Sequence, residues 1–267
     1  MDPRRRAIAI FDSGVGGLTV LAALRRRLPA EDLVYLGDTA RVPYGTRSPE
    51  VVGRYARNNA RFLASFEPKL LVVACNTVSA VALPELERSS RFPVLGVVEP
   101  GARAAAASGA RHVGVIGTAG TVRSGAYQRA LARLAPGVRV SAVACPLFVP
   151  LAEEGWTSGD LPAAVARRYL EGLSREGIDA LVLGCTHYPL LREAIAAAVG
   201  PNVALIDSAE ATAEAAAALL AQEGLARETG RAATERLFVT DLGESFGALA
   251  ERFLGRPVAA PEVVDIS

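Results

Sequence analysis

The feature that most constrains this chain is a regular alternation of short apolar runs with longer amphipathic stretches. The runs fall at residues 7–11, 33–36, 70–74, 94–98, 112–116, 138–144, 180–183 and 203–206. Each lacks the apolar–polar alternation of a half-exposed strand and reads as a strand buried on both faces. Between them, residues 18–28 place Leu18, Leu21, Leu24 and Leu28 on one helical face and stop at Pro29. Ser48-Pro49-Glu50 supplies an N-cap, a proline at the first helical position and an acid in the first turn. Asp160-Leu161-Pro162 opens a helix in a similar way, and residues 211–222, rich in Ala and Leu, form another by propensity. Strand–helix alternation of this kind predicts an α/β protein with mostly parallel sheets, whose ligands sit at the carboxyl ends of the strands.

Two halves of the chain echo each other. Ile8-Ala9-Ile10-Phe11-Asp12-Ser13 matches Val113-Gly114-Val115-Ile116-Gly117-Thr118, 105 residues on, and Val72-Val73-Ala74-Cys75-Asn76-Thr77 matches Val182-Leu183-Gly184-Cys185-Thr186-His187, 110 residues on. A five-residue slip between two offsets in the same order is what a loop insertion in one copy produces. The expectation is two related α/β lobes, each a mostly parallel sheet flanked by helices, with a cleft between them. The first lobe is assigned residues 1–98 plus 210–267 and the second residues 99–209. The tail adds a strand at 237–240 and a helix at 244–254 that return to the first lobe.

Composition narrows the function. With 29 basic against 28 acidic residues, the formal charge is +1, which argues against nucleic acid as a partner. The apolar run after Arg4-Arg5-Arg6 ends at Asp12, too short for a signal peptide, and no run approaches a membrane span. Three cysteines are too few for a disulfide framework. These features predict a cytoplasmic protein with no membrane partner. Of the basic residues only Lys69 is lysine, and it lies at a strand entrance, the wrong end for a pyridoxal phosphate Schiff base.

Cys75 and Cys185 each stand at a strand exit and are followed at once by polar groups, Asn76-Thr77 and Thr186-His187. A cysteine after an apolar strand is ordinarily a small buried hydrophobe, and Cys145, followed by Pro146, keeps that reading. Two thiols facing one another suit inversion of a carbon next to a carboxylate: one removes a proton from one face and the other returns one to the opposite face. A free thiol is only about 3% ionised at neutral pH, so each needs a neighbour to set its proton. The candidates are Asp12, His187 and Glu154; from spacing alone Glu153 and Glu154 read as a solvated helix end.

Other chemistries fit less well. Zinc on Cys185 and His187 lacks a CxxC or HxxxH pair, so no metal is assigned. A Cys–His hydrolase built on the same two residues gives Cys75 no role, and residues two apart seldom meet as nucleophile and base. Gly14-Val15-Gly16-Gly17 after the first strand departs from a dinucleotide fingerprint at Thr19, but its backbone N–H groups suit a carboxylate. The loop through Tyr44-Gly45 lies at another strand exit, where its backbone can grip a small acid.

These segments together closely resemble the glutamate racemase family of cofactor-independent aspartate/glutamate racemases. The matching stretches include residues 11–19, Gly37-Asp38-Thr39, Pro43-Tyr44-Gly45, Ala74-Cys75-Asn76-Thr77, Glu99-Pro100-Gly101, Cys145-Pro146 with residues 148–151, and residues 184–190. The resemblance implies Cys75 and Cys185 as the two acid–bases, assisted by Asp12, Glu154 and His187. It implies substrate contacts from Asp12, Ser13, Tyr44, Gly45, Asn76, Thr77, Thr186 and His187, with Thr118 and Thr121 as weaker candidates. It further implies racemisation of glutamate without a cofactor, D-glutamate supply for peptidoglycan, and a homodimer. The residues themselves reach only two-thiol proton transfer on a carboxylate-bearing carbon. An aspartate racemase, a diacid isomerase or decarboxylase, and a two-lobed small-acid binding protein remain open on that reading.

Overall fold

A computed structural model describes residues 2–227, 232–244 and 246–266. The strands are β1 (Ile8–Asp12), β2 (Leu33–Gly37), β3 (Leu70–Val73), β4 (Val94–Gly96), β5 (His112–Gly117), β6 (Arg139–Ala144), β7 (Ala180–Gly184), β8 (Ala204–Asp207), β9 (Glu235–Val239) and β10 (Glu262–Val263). They form two sheets, ordered β10-β9-β2-β1-β3-β4 and β6-β5-β7-β8, and every neighbouring pair is parallel. The core β2-β1-β3-β4 of the first sheet has the same order as the second, advanced by four strands. The two sequence echoes therefore fall on equivalent strands, β1 with β5 and β3 with β7.

β1, β2, β3, β5 and β7 are buried along their whole length, which is why they appear in the sequence as unbroken apolar runs. The helices Leu18–Arg27, Pro49–Ala64, Asp160–Arg175 and Ser208–Gln222 lie where the patterning and caps predict. Ser48 caps the second of these through its hydroxyl, which accepts from Val51 N–H. The helix Ser208–Gln222 packs on both the helix Leu18–Arg27 and the helix Val98–Ala107, so it touches elements of both halves. The tail does return to the first sheet: β9 pairs with β2 and β10 with β9. Its helix, Phe246–Leu254, packs against Leu18–Arg27.

Central strands β1 and β5 each have a partner on either side, so the loops leaving β1, β3, β5 and β7 converge at the carboxyl ends. Lys69 sits at the opposite end of β3, fully buried, paired with Glu31 and donating to the carbonyls of Arg4 and Leu225, both at 2.8 Å. Its ammonium is spent on holding the amino end of the sheet. Among the described residues, no helix is long and apolar enough to cross a membrane.

Candidate active site

A cavity of about 290 Å³ opens where the strand exits of the two sheets meet. Cys75 and Cys185 both line it, one following β3 and the other following β7. Ser13, Tyr44, Gly45, Asn76, Thr77, Thr186 and His187 join them in the wall. Of the substrate contacts expected from sequence, only Asp12 and the weaker candidate Thr121 are absent from the wall, each 1% exposed.

Each thiol has its own set of partners. Cys75 Sγ donates to Ser13 Oγ at 3.5 Å. Burial pushes its thiol up to about 12, and the charge of Asp12 adds to that, so Cys75 holds its proton at neutral pH. Asp12 is itself raised by burial, partly offset by His187 and by backbone N–H groups of the glycine loop. Gly14 N–H donates to Asp12 Oδ2 at 3.1 Å, while Oδ1 is buried with no partner. The loop donors read in sequence as a cradle for a ligand carboxylate are thus engaged by the protein's own Asp12.

On the other side, His187 Nδ1 lies 3.9 Å from Cys185 Sγ and its Nε2 lies 2.9 Å from Glu153 Oε1. Burial alone would lower the imidazole, but Cys185 and the Glu153 carboxylate outweigh it and push His187 up to about 10. His187 is therefore an imidazolium at neutral pH, the charge partner that a Cys185 thiolate requires. Residues two apart do meet here, against expectation, because the chain leaves the strand and turns helical at His187 (φ −80°, ψ −27°), folding the ring back over the sulfur. Gly16 makes this approach possible: a Cβ there would lie 2.4 Å from both His187 Nδ1 and Thr186 Oγ1.

The remaining wall is polar and well braced. Thr77 Oγ1 lies 2.9 Å from Thr118 Oγ1, and Thr118 Oγ1 lies 3.1 Å from Thr121 Oγ1, a hydroxyl cluster spanning the two sheets. Gly45 O accepts from Gly120 N–H at 2.9 Å, joining the loop after β2 to the helix Ala119–Ser124 after β5. The Tyr44 hydroxyl bonds the fully buried Asp38 carboxylate, which also accepts from Arg41 Nε at 2.8 Å and Thr240 Oγ1 at 2.9 Å. Asp38 thereby locks the Tyr44-Gly45 turn. Cys145 does not line the cavity; it is fully buried in the core, and burial pushes its thiol far up. Among the described residues no three His, Cys, Asp or Glu side chains gather as metal ligands.

A family model described as Asp/Glu/Hydantoin racemase matches residues 17–216. The chain belongs to this Asp/Glu/hydantoin racemase family. A glutamate racemase of Geobacter metallireducens is 55% identical over 251 residues, 94% of this chain and 93% of that one. The structure of a glutamate racemase from Francisella tularensis in complex with D-glutamate superposes with a TM-score of 0.93 at 37% identity, covering 98% of each chain. A Thermus thermophilus glutamate racemase in complex with β-chloro-D-alanine gives a TM-score of 0.90 at 51% identity, covering 99% of this chain and 98% of that one.

One expected site residue lies outside the cavity. Glu154 is exposed and absent from the cavity wall, whereas its neighbour Glu153 lines the cavity and bonds His187. The two acids end the helix Phe148–Glu154, whose inward face carries Phe148, Leu151 and Ala152, and they project to opposite flanks of that face. The sequence pattern does not choose between them. Sequence reasoning also missed Val42, Pro43, Val149 and Pro150 in the wall. It placed a helix in the tail but not beside the site, where the helix Phe246–Leu254 sets Phe253 edge-on to His187 at 5.1 Å between ring centres. Pro43, Val149 and Pro150 fall inside the family-matching stretches but drew no role there, while Val42 and Phe253 arrive by tertiary packing alone.

Proposed function

We propose that the chain interconverts L- and D-glutamate without a cofactor, by proton transfer between two thiols on opposite faces of the α-carbon. The observation that carries this reading is the placement of Cys75 and Cys185 in one cavity, delivered by equivalent strands β3 and β7 of two matching sheets. Glutamate as the substrate is supported by the names of the relatives, which are glutamate racemases at 37–55% identity over nearly whole chains.

In the L-to-D direction, Cys185 as thiolate, paired with the His187 imidazolium, takes the α-proton and becomes a thiol. Cys75, held protonated by burial and by Asp12, gives its proton to the other face and becomes the thiolate. The electron pair left at the α-carbon passes into the substrate carboxylate between these steps. Asn76, Thr77, Thr118 and Thr186 supply donors for carboxylate oxygens, and Asp12, buried behind the wall, favours the thiol form of Cys75 from which the proton is delivered. Glu153 takes the part first given to Glu154, holding His187 protonated. The D-glutamate formed would serve peptidoglycan synthesis in the cytoplasm, and the chain would act as a homodimer.

The test is direct. Each enantiomer of glutamate and aspartate is incubated with the protein without added cofactor, and circular dichroism follows the loss of optical activity. Both glutamate enantiomers should racemise, aspartate far more slowly. Aspartate racemising faster than glutamate would replace the substrate, and no change with any of the four would favour a binding protein.

A further inference from the structure

Asn76 is the first residue of the helix Asn76–Val81, 2% exposed, and lines the cavity. Its side-chain amide has two ends of nearly equal shape and opposite hydrogen-bonding character. Oδ1 accepts from the Tyr127 hydroxyl at 2.7 Å, while Nδ2 is buried and has no partner within the protein. Tyr127 comes from the other half of the molecule, on the helix Ala126–Leu134, and is 1% exposed. Burial raises its phenol far above the ordinary range, so it carries its proton throughout neutral pH and is available as a donor.

The slot for this ring is carved by two glycines. A Cβ at Gly184, directly before Cys185, would lie 3.1 Å from Tyr127 Cε2. A Cβ at Gly101 would lie 3.2 Å from the Tyr127 hydroxyl oxygen. Gly101 closes the Glu99-Pro100-Gly101 stretch, to which the cavity wall gives no part.

We propose that Tyr127 is a positioning residue for substrate binding: its hydroxyl fixes the Asn76 amide with Nδ2 toward the cleft, where it donates to a substrate carboxylate. The inference rests on the proposed glutamate racemase activity. With the amide turned over, a carbonyl oxygen would face the carboxylate and repel it. The donor beside one sheet is thus set by a tyrosine beside the other, whose ring lies close against Gly184, directly before Cys185.

The experiment measures kcat and KM in both directions for the wild type, Tyr127→Phe, Asn76→Ala and the double variant. Tyr127→Phe keeps the buried ring and removes only the hydroxyl, and a melting curve confirms folding. KM for both enantiomers should rise by roughly 3- to 10-fold, the range of one hydrogen bond, with kcat changing less. In the Asn76→Ala background the same substitution should add less than about twofold, because its target is gone. Asn76→Asp provides the independent arm. It should bind glutamate more weakly than Asn76→Ala, since with one oxygen held by Tyr127 the other presents an acceptor to the substrate carboxylate. An unchanged KM in Tyr127→Phe, equal losses in both backgrounds, or Asn76→Asp binding as well as Asn76→Ala would each overturn the assignment. Wild-type turnover of glutamate, measured first, reports separately on the activity itself.

Discussion

Replacing Glu153 by Gln keeps the shape of the side chain and removes its charge, 2.9 Å from His187 Nε2. His187 is held at about 10 against an ordinary 6.5 by two raising partners, Cys185 and Glu153, working against burial. An opposite charge at this range shifts a titration by about 1–3 pH units, and the partial exposure of Glu153, 39% for its side chain, places the effect near the lower end. The imidazolium in Glu153→Gln should therefore lose its proton about one pH unit earlier. The alkaline limb of kcat/KM for L-glutamate should move down with it, from near pH 10 toward pH 9. Stability follows the same sign. A histidine raised in the folded state stabilises it fully below its unfolded value near 6.5, and that contribution fades as pH climbs toward 10. Glu153→Gln should thus melt lower than the wild type at pH 8, with the gap closing above pH 10. Circular dichroism rates between pH 6 and 10.5 measure the limb directly. Glu154→Gln is the control and should leave the profile unchanged, since Glu154 is exposed and outside the cavity. An unmoved limb in a folded Glu153→Gln protein, or a shift produced by Glu154→Gln instead, would refute the assignment of Glu153 as the partner of His187.

Two further outcomes follow from the geometry. Gly16→Ala places a methyl 2.4 Å from His187 Nδ1 and Thr186 Oγ1, so it should cost about 1–3 kcal/mol in denaturant unfolding and lower kcat/KM at least tenfold. Asn76→Ala should weaken kcat/KM by the roughly 1–3 kcal/mol of a lost buried donor, and Arg41→Ala by less. Arg41 lies outside the cavity, donating to Asp38 and stacking on Tyr55 at 4.6 Å, so its loss loosens the Tyr44 turn without touching the substrate. A larger effect from Arg41→Ala on kcat/KM would contradict this placement.

Much of the architecture was legible because parallel strands covered on both faces cannot alternate. Residues 8–12, 70–73 and 180–184 are apolar almost throughout, and polar residues cluster where the chain emerges. The repeat was legible for the same reason, since equivalent strand exits carry the same Cys-polar-polar pattern. What escaped was whatever depends on packing between distant segments. β10 is a two-residue exposed edge strand with no periodic signal. The choice between Glu153 and Glu154 depends on which flank of a short helix meets His187. The Cys185–His187 contact depends on the chain curling as it leaves β7, and the glycine loop's donors are turned inward on Asp12. Tyr127 looks in sequence like one more apolar position of a helix face, yet its hydroxyl reaches across to Asn76.

The central claim is that two different thiols serve the two faces of one carbon, and proton exchange with solvent tests it most directly. L-glutamate is incubated in heavy water, the reaction is stopped after a small fraction has turned over, and the two enantiomers are separated and weighed by mass spectrometry. Cys185 removes protium from the substrate, while Cys75, already exchanged with solvent, delivers deuterium to the product. The D-glutamate formed should therefore carry one deuterium at the α-carbon, and the recovered L-glutamate should carry almost none. The reverse experiment from D-glutamate should give the mirror result. Deuterium appearing in recovered substrate as fast as in product would mean that a single base serves both faces, and the account built on Cys75 and Cys185 would be contradicted.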